Sequence, residues 1–327
     1  MPRMRIIQAV NQALAEEMER DPKVIVIGED VRASIFGDTR GLFDRFGPDR
    51  VRDTPISEAA MTGLAVGASA CGYRIVLHMM FANFLYTGFD AIANQMAKLR
   101  LMTGGQVTLP ITIIANYGGG RSTAAQHSDT PFSPLMNLGG IEVAVPSSPK
   151  NAKGLMKTAV RSDNPTVYLE PGGRGGELGE VPDGDYVTPF GQADQLQEGH
   201  ELSLVTMGSM TRMTARTAKT LEKAGVSVDV LDMQTLVPLD MDAVLASAER
   251  TGRVIIVDES RDRCSAASHI AAVLADKAHS CLKAPVRRIT VPDTAMPYAP
   301  SVERPLLPNS ERIVRAAGEI LGREFTT

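Results

Sequence analysis

Cysteine is scarce in this chain, and its distribution excludes two classes of protein. Only three of the 327 residues are cysteines, at positions 71, 264 and 281. Three scattered thiols cannot form the disulfide framework of a small secreted domain or a cysteine-rich zinc site. We therefore expect a protein of a reducing compartment, with Cys71 in the core and Cys264 at the start of a helix.

A strong net charge and long apolar runs are also absent. The 34 basic and 38 acidic residues give a net charge of −4, which excludes the strongly basic surface that binds nucleic acid or an anionic membrane. No run approaches the roughly 18 apolar residues of a membrane span, and the N-terminal segment lacks the pattern of a secretory signal. The sequence thus predicts a cytoplasmic protein that binds neither membrane nor nucleic acid.

The common catalytic and metal-binding signatures are missing as well. The chain has no P-loop, no G-x-S-x-G elbow, no H-E-x-x-H and no C-x-x-C. Its five histidines show no metal-ligand spacing, so we predict no metal site on this chain. The glycines at 118–120 follow a predicted strand but lack the spacing of a dinucleotide-binding turn, and we do not favour that function.

What the sequence does contain is a regular alternation of strand and helix signals. Apolar residues make up 43% of the chain and charged residues 22%, as in ordinary globular proteins, and the length suits two domains. In the first half, short apolar runs predict strands at 24–27, 73–77, 111–114, 142–145 and 166–169. Helices are predicted at 57–71, 86–102 and 149–161. Such alternation predicts a mainly parallel sheet covered by helices on both faces.

Glycine and proline are concentrated in residues 171–200, and Gly173, Gly175 and Gly176 belong to this stretch. We interpret it as a linker between domains. A second alternating series follows, with strands at 202–205, 226–231, 253–257 and 286–290 and helices at 212–224, 240–251 and 265–278. A last helix begins near Ser310, which we expect to cap it. The predicted fold class is α/β, with two doubly wound domains at 1–180 and 201–327 and a linker at 181–200.

Several short strings carry a resemblance to a known family. Asp53 to Glu58 reads DTPISE and comes about twenty-five residues after GEDV at 28–31. Further strings lie at 81–84, 89–98, 104–106, 124–128, 145–147, 151–155, 236–240 and 296–298. In this order and spacing they resemble the beta subunit of thiamine-diphosphate-dependent 2-oxo acid and acetoin dehydrogenases over nearly the whole chain.

This resemblance implies a pyrimidine-binding domain followed by a transketolase-type C-terminal domain. It implies an oxidoreductase subunit that cleaves the carbon–carbon bond next to the carbonyl of acetoin or of a 2-oxo acid such as pyruvate. The acyl unit would then pass to lipoamide on a lipoylated acyltransferase partner. Two alpha and two beta chains would form the active heterotetramer. Two alternatives stay open: a carboligase without a lipoyl acceptor, and a non-catalytic scaffold subunit of the same family.

The resemblance gives Glu58 the central catalytic role. In this family a carboxylate hydrogen-bonds a pyrimidine nitrogen of thiamine diphosphate, and the cofactor's own amino group then removes a proton from the thiazolium ring. Such a carboxyl works best in a dry site, and Glu58 lies between Ile56 and a small-residue helix. Taken without the family, a first-turn carboxylate is more often a helix-dipole partner.

By the same resemblance, Phe84 stacks on the aminopyrimidine and Ile56 walls that pocket. His127 lies near the reacting carbon, where it assists proton transfer or orients the substrate or lipoyl acceptor. Glu29 matches an acidic residue assigned to a relay between paired active sites. Three of these residues also have a purely structural explanation. Phe84 would pack in the core, His127 would be a hydrogen-bonded loop histidine, and Glu29 would be a solvated carboxylate at a strand end.

The phosphate half of the family's cofactor site is missing from this chain. That half needs a Gly-Asp-Gly turn followed by an asparagine, because Mg²⁺ binds phosphate and a few protein oxygens. The only similar stretch, at 183–185, has the wrong order. We therefore expect the alpha subunit to hold Mg²⁺ and the chain to be inactive alone. A K⁺ ion held through backbone carbonyls is a further expectation from the family.

Three residues depart from the family pattern. Asp129 follows His127 and Ser128 where glutamine is common, and a carboxylate there would disfavour anionic 2-oxo acids. His78 replaces a common glutamate, and Met80 replaces a common polar residue. Because acetoin is neutral, the Asp129 argument favours it over pyruvate as the substrate.

Overall fold

The computed structural model describes residues 1–172 and 178–325. The chain forms two compact units. The first comprises Met1–Tyr117 and Pro134–Phe190, and the second comprises Gly118–Ser133 and the chain from Gly191 onward. Gly173, Gly175 and Gly176 of the glycine-rich stretch lie outside the described residues. The functional boundaries at 180 and 200 stay a prediction.

The first unit alternates strands with helices along the chain. Its strands are β1 (Arg3–Arg5), β2 (Val24–Gly28), β3 (Val51–Asp53), β4 (Arg74–Phe81), β5 (Ile111–Tyr117), β6 (Glu142–Ala144), β7 (Thr166–Pro171) and β8 (Leu178–Glu180). Its helices are α1 (Ile6–Arg20), α2 (Leu42–Phe46), α3 (Glu58–Ala70), α4 (Leu99–Met102) and α6 (Pro149–Arg161). The short helix α5 (Phe132–Met136) begins in the segment assigned to the second unit.

Six strands of this unit run side by side in the order β6-β7-β5-β4-β2-β3. All five pairings between them are parallel. Continuous apolar runs predicted five of these strands, and such runs fit a sheet buried on both faces. Every residue of β5 is buried, for example. The short edge strand β3 was not predicted. The parallel arrangement confirms the mainly parallel sheet that the alternation predicted.

Helices α1 and α6 supply apolar side chains to the core of this unit. Ile6, Val10 and Leu14 of α1 share a buried cluster with Leu155 and Met156 of α6. The start of α6 is fixed by a capping box, in which Ser148 Oγ accepts from the Asn151 amide and the Asn151 side chain accepts from the Ser148 amide. Such reciprocal capping satisfies two helix-end donors that would otherwise lack partners.

The predicted single helix at 86–102 is wrong. The structure has instead a 3₁₀ helix at Ala82–Tyr86, a π-helix at Ala91–Met96 and the separate helix α4. The Ala97 amide donates to the carbonyl of Ile92, five residues back, at 2.9 Å. A π-turn inserts an extra residue into the helical ladder, so the regular apolar spacing of an α-helix is not kept through this segment.

The second unit has its own five-stranded sheet. The sheet contains β9 (Asp194–Gln197), β10 (Leu202–Thr206), β11 (Val228–Asp232), β13 (Val254–Arg261) and β14 (Arg287–Val291), and the short strand β12 (Thr235–Val237) lies outside it. The helices of the unit are α7 (Thr211–Lys223), α8 (Met241–Thr251), α9 (Ala266–Lys277), α10 (Pro300–Leu306) and α11 (Ser310–Leu321). The sheet order is β14-β13-β10-β11-β9, and only the β9 pairing is antiparallel.

Two smaller expectations are wrong in detail. Cys71 is exposed, since it is the residue that follows the last turn of α3. The cap of α11 is Asn309, whose side chain accepts from the Arg312 amide at 3.0 Å, and Ser310 is the first helical residue. None of the helices in the described part of the chain is long and apolar enough to cross a membrane.

Candidate active site

The carboxyl ends of three neighbouring strands carry the predicted cofactor-binding residues of the first unit. Strands β4, β2 and β3 are adjacent and parallel. Phe84, Glu29 and Glu58 follow the ends of these strands in turn. Ligands of open parallel sheets bind at this edge, because the chain leaves the sheet there in loops and helix starts. The topology therefore brings these three residues to one edge.

Glu58 is the first residue of α3 and is only 8% exposed. Its carbonyl accepts a hydrogen bond from Thr62 Oγ1 at 2.8 Å. A Cβ added at Gly88 would lie 3.0 Å from that carbonyl oxygen and 2.7 Å from Thr62 Oγ1, so only glycine allows this approach. Within residues 1–172 and 178–325, no hydrogen-bond donor or cation contacts the Glu58 carboxylate. A buried carboxylate in this state is suited to a donor from outside the chain.

Glu29 follows β2 and is half-buried. Burial raises the pKa of this carboxyl, and the neighbouring Glu58 and Asp30 carboxylates raise it further. His78 acts in the opposite direction and lowers the pKa of Glu29. The charge of Glu58 thus disfavours the ionised form of Glu29.

Phe84 and Ile56 present apolar surface near this edge. Phe84 lies in the 3₁₀ helix Ala82–Tyr86, is half-buried, and meets the ring of Phe81 edge-on at 5.9 Å between centroids. Ile56 is 78% exposed, which is unusual for a large aliphatic side chain. An exposed isoleucine next to a buried carboxylate is suited to contact with a ligand or a partner surface.

His78, a departure from the family pattern, is buried in β4 and paired with an acid that the sequence did not reveal. Its Nε2 lies 2.8 Å from Asp38 Oδ2, and both side chains are at most 3% exposed. When His78 is neutral, the Met80 amide donates to its Nδ1 at 3.3 Å. Burial alone would lower the pKa of His78, but Asp38 and Glu29 raise it above its ordinary value.

Glu170 is a second buried acid that sequence reasoning missed. It lies in β7 opposite Asn116 of β5 and is completely buried. Neither carboxylate oxygen has a hydrogen-bond partner among the described residues. Burial, reinforced by the charge of Asp38, raises the pKa of Glu170 well above its ordinary value. The surroundings of Glu170 thus favour the protonated carboxylic acid over the charged carboxylate.

His127 belongs to the second unit, unlike the other predicted site residues. It ends the 3₁₀ helix Ala125–His127 and is half-buried. Its carbonyl accepts from Thr123 Oγ1 at 3.2 Å, and its amide donates to the Ala124 carbonyl at 3.3 Å. The segment Gly118–Ser133 that carries it follows β5 directly.

Three acidic residues of the same unit, Asp129, Glu259 and Glu303, make contacts that bear on the expectations for this segment. Asp129 pairs with Arg261 at 2.6 Å, so the basic side chain offsets the charge on which the preference for a neutral substrate rested. The amides of Gly119 and Gly120 donate to the carboxylates of Glu259 and Glu303. The amides of Gly119 and Gly120 are therefore already hydrogen-bonded within the chain.

In the described residues, no group of three or more histidine, cysteine, aspartate or glutamate side chains is arranged to hold a metal ion. The sequence signal for the site was confined to residues near the strand ends. Asp38, Glu259 and Glu303 gave no such signal, because their partners are distant along the chain. Glu170 gave none either, because its burial depends on the folded sheet.

Comparisons with known proteins agree with this architecture. The transketolase pyrimidine-binding domain matches residues 3–174 and the transketolase C-terminal domain matches residues 191–313. The beta subunit of the acetoin:2,6-dichlorophenolindophenol oxidoreductase of Cupriavidus necator is 40% identical, with 96% of each chain covered. The beta subunit of the pyruvate dehydrogenase E1 component of Bacillus subtilis is 39% identical, with 98% of this chain and 99% of the relative covered.

Among solved structures, the inactive beta4 tetramer of a split-gene transketolase is similar to this chain. The TM-score is 0.80 at 26% identity, and the superposition covers 98% of this chain and 99% of the other. The similarity confirms the predicted α/β fold class. The chain therefore belongs to the beta-subunit family of thiamine-diphosphate-dependent 2-oxo acid and acetoin dehydrogenases, within the transketolase-like superfamily.

Proposed function

We propose that the chain is the beta subunit of a dehydrogenase component that cleaves the carbon–carbon bond next to a carbonyl. The substrate is acetoin or a 2-oxo acid such as pyruvate, and the acyl unit passes to lipoamide on an acyltransferase partner. The active assembly contains two alpha and two beta chains. Relatives named for acetoin and for pyruvate are almost equally similar, at 40% and 39% identity. Overall similarity therefore does not choose between the two substrates.

The observation that carries this proposal is the Glu58 carboxylate. It is 8% exposed at the start of α3 and has no internal donor among the described residues. A pyrimidine ring nitrogen would supply the missing hydrogen bond, so the residue fits the cofactor of the family. When bound, thiamine diphosphate supplies the nucleophilic carbon and the electron sink for cleavage.

The remaining roles are assigned to residues at the same strand ends and in the second unit. Glu58 would hold the proton that is shared with the pyrimidine ring. The charge of the nearby Glu29 would influence how strongly that proton is held. Phe84 and the exposed Ile56 pack against the apolar faces of the cofactor. His127 orients the substrate or lipoyl acceptor and moves a proton there. We place the pyrimidine-binding function in residues 1–180 and the C-terminal domain in residues 201–327.

The alpha subunit completes the site in this proposal. It holds the diphosphate and Mg²⁺, for which this sequence lacks the Gly-Asp-Gly turn and the following asparagine. A K⁺ ion held by backbone carbonyls would be structural. The protein would act in the cytoplasm.

The proposal is tested by the variant Glu58→Gln in the assembled alpha–beta pair. Glutamine keeps the size of the side chain but cannot share the proton, so we expect kcat to fall by about a hundredfold to ten-thousandfold. The rate of proton exchange at the thiazolium carbon, followed by NMR in deuterated water, should fall in parallel. Binding of the cofactor and the thermal unfolding temperature should stay close to those of the wild type.

The matched control is Asp44→Asn, which changes an exposed carboxylate of α2 in the same unit. It should leave kcat and proton exchange unchanged. Retention of more than a few per cent of kcat by Glu58→Gln would exclude the assigned role. Assays with and without a lipoylated acceptor separate a dehydrogenase from a carboligase, and a pair that fails to bind the cofactor would indicate a scaffold subunit.

A further inference from the structure

The segment Gly118–Ser133 has an unusual backbone. Gly118 and Gly120 both have φ angles of +90°, and Ser122 and Ala124 have φ angles of +57° and +63°. A non-glycine residue in this region is sterically disfavoured and persists only where the surroundings hold it in place. The two strained residues immediately precede the 3₁₀ helix that carries His127. Something outside the segment must therefore fix its conformation.

Glu303 of α10 binds this backbone with both carboxylate oxygens. Its Oε1 accepts from the Gly120 amide at 2.8 Å, and its Oε2 accepts from the Ser122 amide at 2.9 Å and from Ser122 Oγ at 3.2 Å. The residue is 1% exposed. Hydrogen bonds from amides to a buried carboxylate are stronger than neutral ones, so Glu303 stabilises the strained turn directly.

Glu259 of β13 accepts a hydrogen bond from Gly119, the residue before Gly120. Its Oε1 accepts from the Gly119 amide at 2.6 Å, and its Oε2 contacts Ser209 Oγ. A Cβ at Gly118 would lie 2.5 Å from Glu259 Oε1, so the carboxylate approaches the backbone as closely as glycine allows. Two acids from different elements thus hold consecutive amides of one segment.

Charge compensation within the segment fits the same arrangement. Burial lowers the pKa of the Arg121 guanidinium, whereas the Glu259 and Glu303 carboxylates raise it. Arg261 pairs with Asp129 two residues after His127. Buried carboxylates are costly unless they are paired and hydrogen-bonded, and here the amides and Arg121 provide that compensation. The acids are therefore committed to the segment and are not available for a ligand.

We propose that Glu303, with Glu259, is a positioning residue that fixes the Gly118–Ser133 backbone so that His127 is presented to the substrate. This inference rests on the proposed function of His127. It assigns both acids a role in the reaction although neither touches substrate or cofactor. Their effect on the rate passes entirely through the orientation of the histidine.

The variant Glu303→Gln tests this role in the assembled alpha–beta pair. Glutamine has the same shape, but its NH₂ group would face a backbone donor of the segment. We expect kcat to fall by about ten- to a hundredfold, because small misplacements of a reacting group have effects of this size. Proton exchange at the thiazolium carbon should be unchanged, since it depends on Glu58. Amide exchange at Gly120 and Ser122 should become faster.

A double-variant cycle separates positioning from a general structural effect. If Glu303 acts only through His127, then His127→Ala and the double variant Glu303→Gln/His127→Ala should have the same kcat. The matched control Glu249→Gln removes an exposed charge of α8 in the same unit and should leave kcat unchanged. Should Glu303→Gln fail to fold, Glu259→Gln enters the same cycle.

Each outcome of the cycle either supports or overturns the positioning role of Glu303. An unimpaired Glu303→Gln beside an impaired His127→Ala overturns the positioning role and leaves the proposed function standing. Multiplicative losses in the double variant also overturn it, because they show that the acid acts independently of His127. A His127→Ala variant with wild-type kcat removes the proposed role of the histidine and of both acids together, whereas the Glu58 assignment is judged by its own variant.

Discussion

At the scale of single residues, the buried pair of His78 and Asp38 couples the protein's stability to pH. The two groups lie 2.8 Å apart and are almost fully shielded from water. Removing one partner of such a pair leaves an uncompensated buried charge, whose cost is much larger than that of a broken surface pair. The pair also lies beside Glu29, whose charge favours the protonated histidine.

We expect Asp38→Asn to lower the free energy of unfolding by about 3 kcal/mol at mildly acidic pH. Asp38 and Glu29 raise the folded-state pKa of His78 against the effect of burial. The stabilisation is therefore fully present below the unfolded-state pKa of about 6.5 and is lost as the pH rises through the folded-state value. Urea unfolding at about pH 5.5 and about pH 9 should show a smaller difference between wild type and variant at the higher pH.

A variant of His78 itself is the control for this prediction. Burial and the charge of Asp38 raise the pKa of the nearby Glu170, so its surroundings favour the protonated form. The variant His78→Gln removes the titrating group. In that background, the loss of unfolding free energy caused by Asp38→Asn should no longer decrease between about pH 5.5 and about pH 9. A difference between wild type and Asp38→Asn that grows towards alkaline pH would contradict the assignment.

The sequence predicts the environment of some residues and not of others. The difference lies in how far along the chain their contact partners are. Glu58 was predictable because its place before a small-residue helix and within a family string is local. Asp38 was not, since only the folded sheet brings it to His78. Glu303 was equally hidden, because its contacts are with backbone amides far away in the chain.

At the scale of elements, a charged cluster joins α1 to α6 in the first unit. Glu16 of α1 pairs with Lys153 at 2.8 Å and with Lys157 at 2.5 Å, and both lysines are 1% exposed. Asp185 also pairs with Lys157, at 2.6 Å. The cluster fixes how the two helices meet, because a shift between them would separate buried charges.

We expect Glu16→Gln to destabilise the protein by about 3 kcal/mol at neutral pH, because it leaves the two buried lysines short of negative charge. The two lysines lower the pKa of Glu16 against the effect of burial. Its contribution is thus present above the unfolded-state value and is lost as the pH falls through the lowered folded-state value. The midpoint of urea unfolding, measured from neutral to acidic pH, follows this loss.

Helix α1 itself offers a matched control. Glu19 pairs with Arg45, but both side chains are about half exposed. The variant Glu19→Gln should change the free energy of unfolding by less than about 1 kcal/mol. If the two variants were equally destabilised, burial of the cluster would not be the cause.

Elements were predictable where one physical signal dominated. The central strands of both sheets are continuous apolar runs, and a buried parallel strand produces that pattern with few alternatives. The segment at 86–102 carries apolar residues at mixed spacing, which did not reveal its true structure. Three short helical pieces stand there in place of the single predicted helix. The edge strand β9 lies within residues 181–200, the predicted linker, because a polar edge strand has no apolar run to reveal it.

At the scale of the whole molecule, the proposed function gives the chain one part of a site that the alpha subunit completes. The first unit of this chain carries the buried Glu58 and the exposed Ile56, and its second unit carries His127. The sequence lacks the Gly-Asp-Gly turn for the diphosphate. In a shared site the binding free energy is divided between subunits, and neither alone retains the full affinity.

We therefore expect thiamine diphosphate with Mg²⁺ to bind tightly to the alpha–beta pair and at least about a hundredfold more weakly to this chain alone, a difference of about 2.7 kcal/mol. Calorimetric titration of both preparations measures it. In the pair, Ile56→Ala should weaken binding modestly, because it removes apolar contact without removing a charge. Tight binding by the chain alone would contradict the division of the site and would favour a homo-oligomeric enzyme with its own phosphate-binding residues.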